Sequence, residues 1–425
     1  MHSADHDASR ADLASRYGEV RGLSEALASP LSPEDQQVQS MPDVSPTKWH
    51  LAHVTWFFET FVLSPHLPGY EPFDPAFGYL FNSYYEGVGA RHPRPDRGLL
   101  SRPPVSEVIA YRAHVDEAMG RLFETLSDNA WAEPGELIEL GLNHEQQHQE
   151  LLLMDIKHVL SRNPISPAYR PRNAREAVTA PELGWTGHEG GLGRLGDDGS
   201  GFAFDNERPR HRVVLEDFRL ADRPVTNGEY RAFVEDGGYR DPLLWLADGW
   251  ATVQAEGWEG PLYWREADGE RSEFTLAGET PLDDDAPVCH VSHYEAAAYA
   301  AWAGKRLPTE AEWEAAAPAV DEDSANLLAA DRLHPVAANG NGRSGLRQMI
   351  GDVWEWTASP YVAYPGFRTS PGAVGEYNGK FMSNQIVLRG GCCATPPGHI
   401  RATYRNFFYP HQRWPFTGIR LAEDG

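Results

Sequence analysis

The sequence predicts an α+β protein in which a helical bundle is followed by a separate domain with short strands and long loops. The chain has 425 residues, which is enough for about two or three domains. In its first part, apolar side chains recur at spacings of three and four residues, as in amphipathic helices. After about residue 180, glycine and tryptophan become frequent and short alternating stretches replace that spacing.

Four amphipathic helices are expected in the first part, and they predict a bundle that spans residues 8–165. Their segments include LAHVTWFFETFVL, VIAYRAHVDEAMGRLFETL and ELIELGLNHEQQHQELLLMDIKHVL. An irregular loop with many aromatic and basic residues, roughly residues 70–103, separates the second helix from the third. Asn163 and Pro164 end the last helix, because proline cannot continue a helix.

A polar connector, residues 166–180, is expected to join the bundle to a second domain at residues 181–425. This second domain is rich in turns, and its predicted strands are short. Two helices are predicted within it, from TNGEYRAFVEDG and HYEAAAYAAWAG. Trp313, Trp354 and Trp356 are expected in its core.

The composition disfavours several classes of partner. The chain has 37 basic and 62 acidic residues and a net charge of −25, which argues against nucleic acid and anionic membranes. It has no run of about 18 apolar residues and no apolar signal segment at its start. Cys289, Cys392 and Cys393 do not form a disulfide framework, and the adjacent pair is expected to be small and buried. We therefore expect a cytoplasmic protein whose partners are small molecules.

The stretch NHEQQHQELL, residues 143–152, contains an H-E-x-x-H motif formed by His144, Glu145 and His148. On a helix predicted from Glu136 to Ser161, the two histidines lie one turn apart on an apolar stripe that faces the bundle interior. Such a pair is a common arrangement of metal ligands. In zinc peptidases with this motif the glutamate is the general base. A site for a different metal is the second interpretation, and a pair of core histidines that bind no metal is the third.

A metal site needs at least one further protein ligand. A zinc peptidase would take it from a helix downstream, but a polar connector follows. Upstream, KWHLAHVTWFFETF offers His50 and His53. His53 shares its helix face with Trp49 and Trp56 and is expected to point inward, whereas His50 is offset and is predicted to be structural. Three histidines from two helices would leave metal positions open for substrate and oxygen.

The motifs of the two halves together resemble a known family. WHLAHVTWFFETF with NHEQQHQE resembles the DinB-like iron domain of ergothioneine sulfoxide synthases (EgtB-type enzymes). The second half resembles the formylglycine-generating-enzyme-like domain, which has a C-type-lectin-related fold. Its motifs here are RPVTNGEYRAFVEDGGY, KRLPTEAEWEAAA, GDVWEWTASPY, LRGG and GIRLA. In this order the motifs cover nearly the whole chain.

The resemblance implies that His53, His144 and His148 bind Fe(II), with dioxygen as co-substrate. Glu145 would then not be a catalytic base. The family's substrate-binding glutamine, just before the last ligand, falls on Gln147.

The resemblance also implies two further groups of substrate-binding residues. Arg94 and Arg97, in HPRPDR, would hold the carboxylate of the sulfur donor, since a guanidinium binds carboxylates with two parallel hydrogen bonds. Asn406 would contact hercynine, the trimethylated betaine of histidine. Phe407 and Phe408 stand where the actinobacterial form has Trp-Asp, and this departure points to the type II branch, which uses free cysteine. Their rings are expected to face the trimethylammonium group.

In the type II branch the catalytic tyrosine comes from the loop of the first domain. There FNSYYEGVGARHPR offers Tyr84 and Tyr85, one of which would give a proton or a hydrogen atom during the reaction. Tyr377, in the second half, is the less favoured candidate. Packing within an aromatic loop is the alternative role for the pair.

The implied reaction is oxidative C–S bond formation, which joins cysteine or γ-glutamylcysteine to hercynine as a sulfoxide in ergothioneine biosynthesis. Three alternatives stay open. They are a selenoneine synthase that joins a selenosugar to hercynine, a zinc-dependent hydrolase that uses the H-E-x-x-H motif, and a module that only binds. The sequence carries no signal for the oligomeric state, and for the donor only the retained arginine pair favours an amino acid over a selenosugar.

Overall fold

The computed structural model describes residues 10–171, 178–339 and 345–425. The expected start of the bundle at residue 8, and residues 172–177 of the expected connector, lie outside the described residues. The chain divides into two units. The first contains the chain as far as Pro164 and two later segments, Gly199–Phe202 and Thr369–Tyr377. The second contains Ile165–Asp198, Ala203–Arg368 and Asn378–Gly425.

Among the described residues, the first unit has four long helices and two short ones, which confirms the predicted bundle. In chain order they are α1 Arg10–Ala28, α2 Thr47–Phe57, α3 Ser64–His66, α4 Phe77–Leu80, α5 Val105–Thr125 and α6 Ala132–Ser161. The last helix ends before Asn163 and Pro164 as predicted, but it begins at Ala132 rather than at Glu136. The short α3 and α4 interrupt the connection between α2 and α5.

The second helix occupies the centre of the bundle. Every residue of α2 is buried, and the helix contacts α1, α5 and α6. It continues as a π-helix, Phe58–Leu63, a form that is frequent at functional sites. Gly141 of α6 allows a close approach here, since a Cβ atom at that position would lie 2.6 Å from the Phe58 ring. α6 therefore packs closely against the end of α2, one turn before His144.

The described residues of the second unit form twelve short strands. They are β1 Trp185–His188, β2 Gly191–Leu195, β3 His211–Leu215, β4 Phe218–Ala221, β5 Trp264–Ala267, β6 Glu270–Thr275, β7 Gly278–Pro281, β8 Trp354–Pro360, β9 Ile386–Arg389, β10 Asn406–Phe408, β11 Thr417–Gly418 and β12 Ala422–Asp424. Four sheets result, in the orders β1-β4-β12, β10-β9-β8-β11, β2-β3 and β5-β6-β7. Neighbouring strands are antiparallel except β11 and β8.

Four helices accompany these sheets within the described ranges. They are α7 Asn227–Glu235, α8 Ala247–Glu256, α9 His293–Trp302 and α10 Glu310–Ala316. The predictions of α7 and α9 are confirmed, whereas α8 and α10 were not predicted. The three expected core tryptophans are at most 1% exposed, and Cys392 and Cys393 are fully buried as expected. No helix in the described parts of the chain is apolar over a length that would cross a membrane.

Candidate metal centre

Helices α2 and α6 bring the three predicted metal ligands together. His53 comes from α2, and His144 and His148 come from α6. One imidazole nitrogen from each forms a group in which all distances are within 4.8 Å. His53 and His144 are buried, and His148 is partly exposed. The structure thus forms one three-histidine cluster inside the bundle.

Several nitrogens of this cluster are buried without a hydrogen bond. They are Nε2 of His53 and both ring nitrogens of His144, which have no partner among the described residues. A buried polar atom left unpaired costs about 1–3 kcal/mol, so native structures rarely keep several together. Imidazole nitrogens in such a group are ligands that transition metals accept. The residues present therefore fit a metal ion.

The His53 ring is fixed from three sides. Its Nδ1 donates a hydrogen bond to the carbonyl oxygen of Phe81, at 2.6 Å, so the lone pair of the neutral ring lies on Nε2. Trp49 and Trp56 stack on the ring, with centroid distances of 4.7 and 5.6 Å and interplanar angles of 12° and 17°. Such outer contacts fix the tautomer and orientation of a ligand histidine.

Burial keeps the three imidazoles neutral. It lowers the pKa of His144 to about 3, against the opposing effect of the Glu145 charge. Burial, and then the charge of His144, holds the pKa of His53 well below its ordinary value. The same two causes lower the pKa of His148, with a further contribution from His53. At neutral pH all three rings therefore offer lone pairs to a cation.

Glu145 points away from the cluster and into a buried ion network. Its Oε2 accepts a hydrogen bond from Arg21 Nη1 at 2.9 Å. Its Oε1 accepts from Ser24 Oγ at 2.6 Å and from Arg112 Nη2 at 3.2 Å. Burial alone would raise the pKa of Glu145, but the charges of Arg21 and Arg112 outweigh it and hold that pKa below its ordinary value. This carboxylate is not placed as the general base that a zinc peptidase requires.

The two loop arginines have different environments. Arg97 is buried, its guanidinium lies 3.4 Å from the centroid of the Trp49 ring, and its Nη1 donates to Ser45 Oγ at 2.9 Å. Its Nε has no hydrogen-bond partner among the residues that the structure describes. Burial, and then the charge of Arg94, lowers the pKa of Arg97. Arg94 is exposed and donates to the carbonyl oxygen of Asp43. Arg97 is therefore the arginine that reaches the cluster through a neighbour, since it lies on Trp49, which stacks on His53.

Three tyrosines form a group that contacts the histidines through Tyr377. Tyr84 and Tyr85 stack at 4.6 Å between centroids, with their hydroxyl oxygens 3.5 Å apart. Tyr377 belongs to the first unit, its ring centroid lies 5.5 Å from that of His144, and its hydroxyl donates to Oε1 of Gln147. Its ring is also 6.4 Å from that of Tyr84. The less favoured tyrosine of the sequence analysis is thus the one that contacts a predicted ligand.

The segment that carries Tyr377 is tied to the loop that carries the other two tyrosines. The Glu376 carboxylate accepts hydrogen bonds from the backbone nitrogens of Glu86 and Gly87, at 3.1 and 2.7 Å. A Cβ atom at Gly87 would lie 3.0 Å from Glu376 Oε1, so glycine gives the carboxylate room. One carboxylate therefore holds the two segments together.

The remaining predicted residues lie on β10 of the second unit. Asn406 accepts a hydrogen bond from the backbone nitrogen of Phe407 with its own side chain. The Phe407 ring stacks on Tyr361 at 4.0 Å, and the Phe408 ring meets Trp414 edge-on at 6.1 Å. All three residues of β10 are partly exposed. Their role toward a substrate stays a prediction.

Sequence reasoning missed several residues that support the site. Asp155 is one of them: it accepts a hydrogen bond from His50, the histidine predicted to be structural, and His50 in turn bonds His148. The spacing of Asp155, two helical turns after His148, was an available signal, because residues at that spacing share a helix face. Arg21 and Arg112 gave no signal, since their partner Glu145 is 124 and 33 residues away.

Comparisons with known proteins agree with the two-unit structure. The profile of the DinB superfamily matches residues 16–152, and that of the sulfatase-modifying factor enzyme 1-like domain matches residues 187–425. A hercynine oxygenase of Mycolicibacterium smegmatis is 37% identical over 91% of this chain and 92% of that protein. A formylglycine-generating enzyme of Streptomyces coelicolor is 30% identical over 61% of this chain and 92% of that protein.

A third relative is ergothioneine biosynthesis protein 1 of Schizosaccharomyces pombe. It is 27% identical over 52% of this chain and 28% of that protein. The likeness to the hercynine oxygenase extends over both units, whereas the formylglycine-generating enzyme leaves more than a third of the chain unmatched. The chain therefore belongs to the hercynine oxygenase family, a family of oxygenase enzymes that combine a DinB-type and a sulfatase-modifying-factor-type domain.

Replacing Glu145 by Gln is expected to destabilise the bundle, because two buried guanidinium groups would lose their buried counter-ion and keep only the more exposed Asp116 and Glu25. Breaking a buried ion network of this kind costs about 3–5 kcal/mol. Glu139→Gln is the matched control on the same helix, since its ion pair with Arg16 is partly exposed and contributes less than about 1 kcal/mol. Chemical denaturation measures the free energy of unfolding of both variants. Equal stabilities would contradict the structural role of Glu145.

Proposed function

We propose that the protein is a non-haem Fe(II)- and dioxygen-dependent sulfoxide synthase of ergothioneine biosynthesis, which joins cysteine to hercynine. The observation that carries this proposal is the cluster of three histidines, two of which are buried with unpaired nitrogens, in a chain of the hercynine oxygenase family. The names of two relatives support hercynine as substrate and ergothioneine biosynthesis as pathway. We also propose the identity of the metal, the sulfur donor and the roles of the residues.

His53, His144 and His148 would hold the Fe(II). The bound ion would supply open coordination positions for the substrates and electrons for the reduction of dioxygen. Since the three imidazoles are neutral, they leave the charge of a cation uncompensated, and a thiol donor is favoured as its thiolate. In the overall reaction a C–H and an S–H bond break and a C–S and an S–O bond form. The second oxygen atom leaves as water, so dioxygen takes up four electrons in all.

Arg97 would anchor the carboxylate of the sulfur donor. Its guanidinium is already oriented by Trp49 and Ser45, and its Nε has no hydrogen-bond partner among the described residues. A planar guanidinium with free donors binds a carboxylate with two hydrogen bonds. Arg94, which is exposed, would add a second contact at the edge of the same loop. A donor that carries an amino-acid carboxylate therefore fits this loop.

Hercynine presents an imidazole, a carboxylate and a trimethylammonium group. Gln147, which directly precedes His148, would bind it from α6, and Asn406 would bind it from β10. A trimethylammonium group cannot donate hydrogen bonds, so aromatic faces are its natural partners. Phe407 and Phe408 would supply such faces.

Tyr84 or Tyr85 would act as the proton or hydrogen-atom donor. Burial, and then the neighbouring Tyr84, raises the pKa of Tyr85 well above its ordinary value, so this hydroxyl keeps its proton at neutral pH. The hydroxyl oxygens of the two tyrosines are close enough to pass on a proton after a small approach. The hydroxyl of Tyr377, whose ring lies 5.5 Å from that of His144, is the alternative proton donor.

A competition assay tests the proposed reaction. The Fe(II)-loaded protein receives air and hercynine with cysteine, γ-glutamylcysteine and a selenosugar together, and mass spectrometry identifies the conjugate. We expect the sulfoxide of a hercynine–cysteine conjugate, formed only with oxygen. The protein loaded with Zn(II) instead is the control, and it should form none.

Other results of this assay would overturn the proposal in distinguishable ways. A selenium conjugate would keep the metal centre but make the protein a selenoneine synthase. A γ-glutamylcysteine conjugate would contradict the choice of donor. Absence of any conjugate, with zinc in the protein as isolated, would favour hydrolysis. Absence of both conjugate and bound metal would favour a module that only binds.

Replacement of the tyrosines tests the proton donor. Loss of a general acid typically costs about 10²–10⁴-fold in rate. We expect Tyr84→Phe or Tyr85→Phe to lower sulfoxide formation in this range and to divert cysteine to its sulfinic acid, which mass spectrometry detects. Tyr79→Phe, an exposed tyrosine of the same loop, should react like the unchanged protein. If only Tyr377→Phe diverts the product, the role belongs to Tyr377 and the assignment to the loop pair is wrong.

A further inference from the structure

We propose that His50 and Asp155 are positioning residues for the metal centre, which act by deciding which nitrogen of His148 faces the metal. This inference rests on the proposed function, because it concerns the ligand set of the same site. It assigns a role to two residues that do not themselves lie in the three-histidine cluster.

The three side chains form a continuous chain of contacts between α2 and α6. Nε2 of His50 lies 3.0 Å from Oδ2 of Asp155, and Nδ1 of His50 lies 2.8 Å from Nδ1 of His148. The same Asp155 oxygen accepts a hydrogen bond from the backbone nitrogen of Ser45 at 2.8 Å. His50 is 4% exposed and Asp155 3%, so water does not compete for these bonds.

With His50 neutral, the chemistry of imidazole fixes the direction of each bond. A carboxylate only accepts, so His50 donates from Nε2 to Asp155. A neutral imidazole has one N–H, so Nδ1 of His50 then carries a lone pair and accepts from His148. His148 therefore has its proton on Nδ1, and its lone pair lies on Nε2. This is the tautomer that a metal ligand needs when it binds through Nε2.

The opposite direction of the bond between His50 and His148 would give the other tautomer of His148. If His50 donated from Nδ1, His148 would accept on Nδ1 and keep a proton on Nε2, which then could not bind a metal. Asp155 thus selects the tautomer of His50, and His50 selects that of His148. Both ring nitrogens of His50 are used in these bonds, so the geometry leaves His50 no nitrogen for a fourth ligand. Carboxylate–histidine pairs behind a ligand also raise its basicity.

The chain extends to the arginine that is proposed to anchor the donor. The Ser45 hydroxyl accepts from Nη1 of Arg97 at 2.9 Å, while the Ser45 backbone nitrogen donates to Asp155. Arg97 also lies on the Trp49 ring, whose other contact is the stack on His53. A single network therefore connects the donor anchor with two of the three metal ligands, and the metal ligands and the anchor are positioned together.

Cobalt(II) affinity tests the positioning role without relying on turnover. Visible absorption follows titration of the metal-free protein with Co(II), for the unchanged protein, His50→Phe and His50→Gln. Loss of such an outer partner typically weakens metal binding about 10–100-fold, and we expect this for His50→Phe. Glutamine has one acceptor and one donor group and can bridge His148 and Asp155 as histidine does. His50→Gln should therefore recover most of the affinity, whereas a merely structural histidine would show no such rescue.

His293→Phe is the matched control, because it also replaces a buried histidine by an apolar ring but lies in the second unit. It should leave the cobalt affinity unchanged. If His50→Phe does not fold, Asp155→Asn takes its place, with an expected loss of about tenfold. Unchanged affinity in a folded His50→Phe or Asp155→Asn protein would overturn the positioning role alone. If the protein without substitutions binds no Co(II), the metal centre of the proposed function is overturned as well.

Discussion

The first unit depends on one buried carboxylate and the two arginines that neutralise it. Glu145 of α6 binds Arg21 of α1 and Arg112 of α5, and both arginines also donate to Thr55 of α2. All four long helices therefore meet at a single ion network. Such a network is favourable only while it is complete, so it fixes the register of the helices. His144 directly precedes Glu145, and the same register sets the position of the histidine cluster.

The H-E-x-x-H motif in this protein therefore combines a glutamate that stabilises the bundle with two histidines of the cluster. This arrangement differs from the one in zinc peptidases. Successive residues of a helix point about 100° apart, so Glu145 cannot share the direction of both histidines. Its side chain stabilises the bundle, while His144 and His148 turn toward His53 and the aromatic residues of α2. A five-residue pattern therefore does not define the chemistry. The hydrogen-bond partners of the glutamate within it distinguish the structural role from that of a general base.

Periodicity predicted the helices and the inward face of the three histidines, because a spacing of three or four residues determines the helix face. It could not predict the contact between His50 and His148, which depends on how α2 and α6 pack. The place of Tyr377 was equally inaccessible, since its contact with Gln147 joins residues 230 positions apart. In the second unit the motifs indicated the domain, but the helices α8 and α10 within it were not predicted.

X-ray absorption of the anaerobic protein loaded with Fe(II) tests the central claim most directly. We expect one ferrous ion per chain, with three imidazole ligands from the protein and no thiolate. Substitution of His53, which lies far from the motif in sequence, should remove one imidazole from the spectrum. An iron site with a protein carboxylate or thiolate ligand, or a spectrum that is unchanged in His53→Ala, would contradict the account.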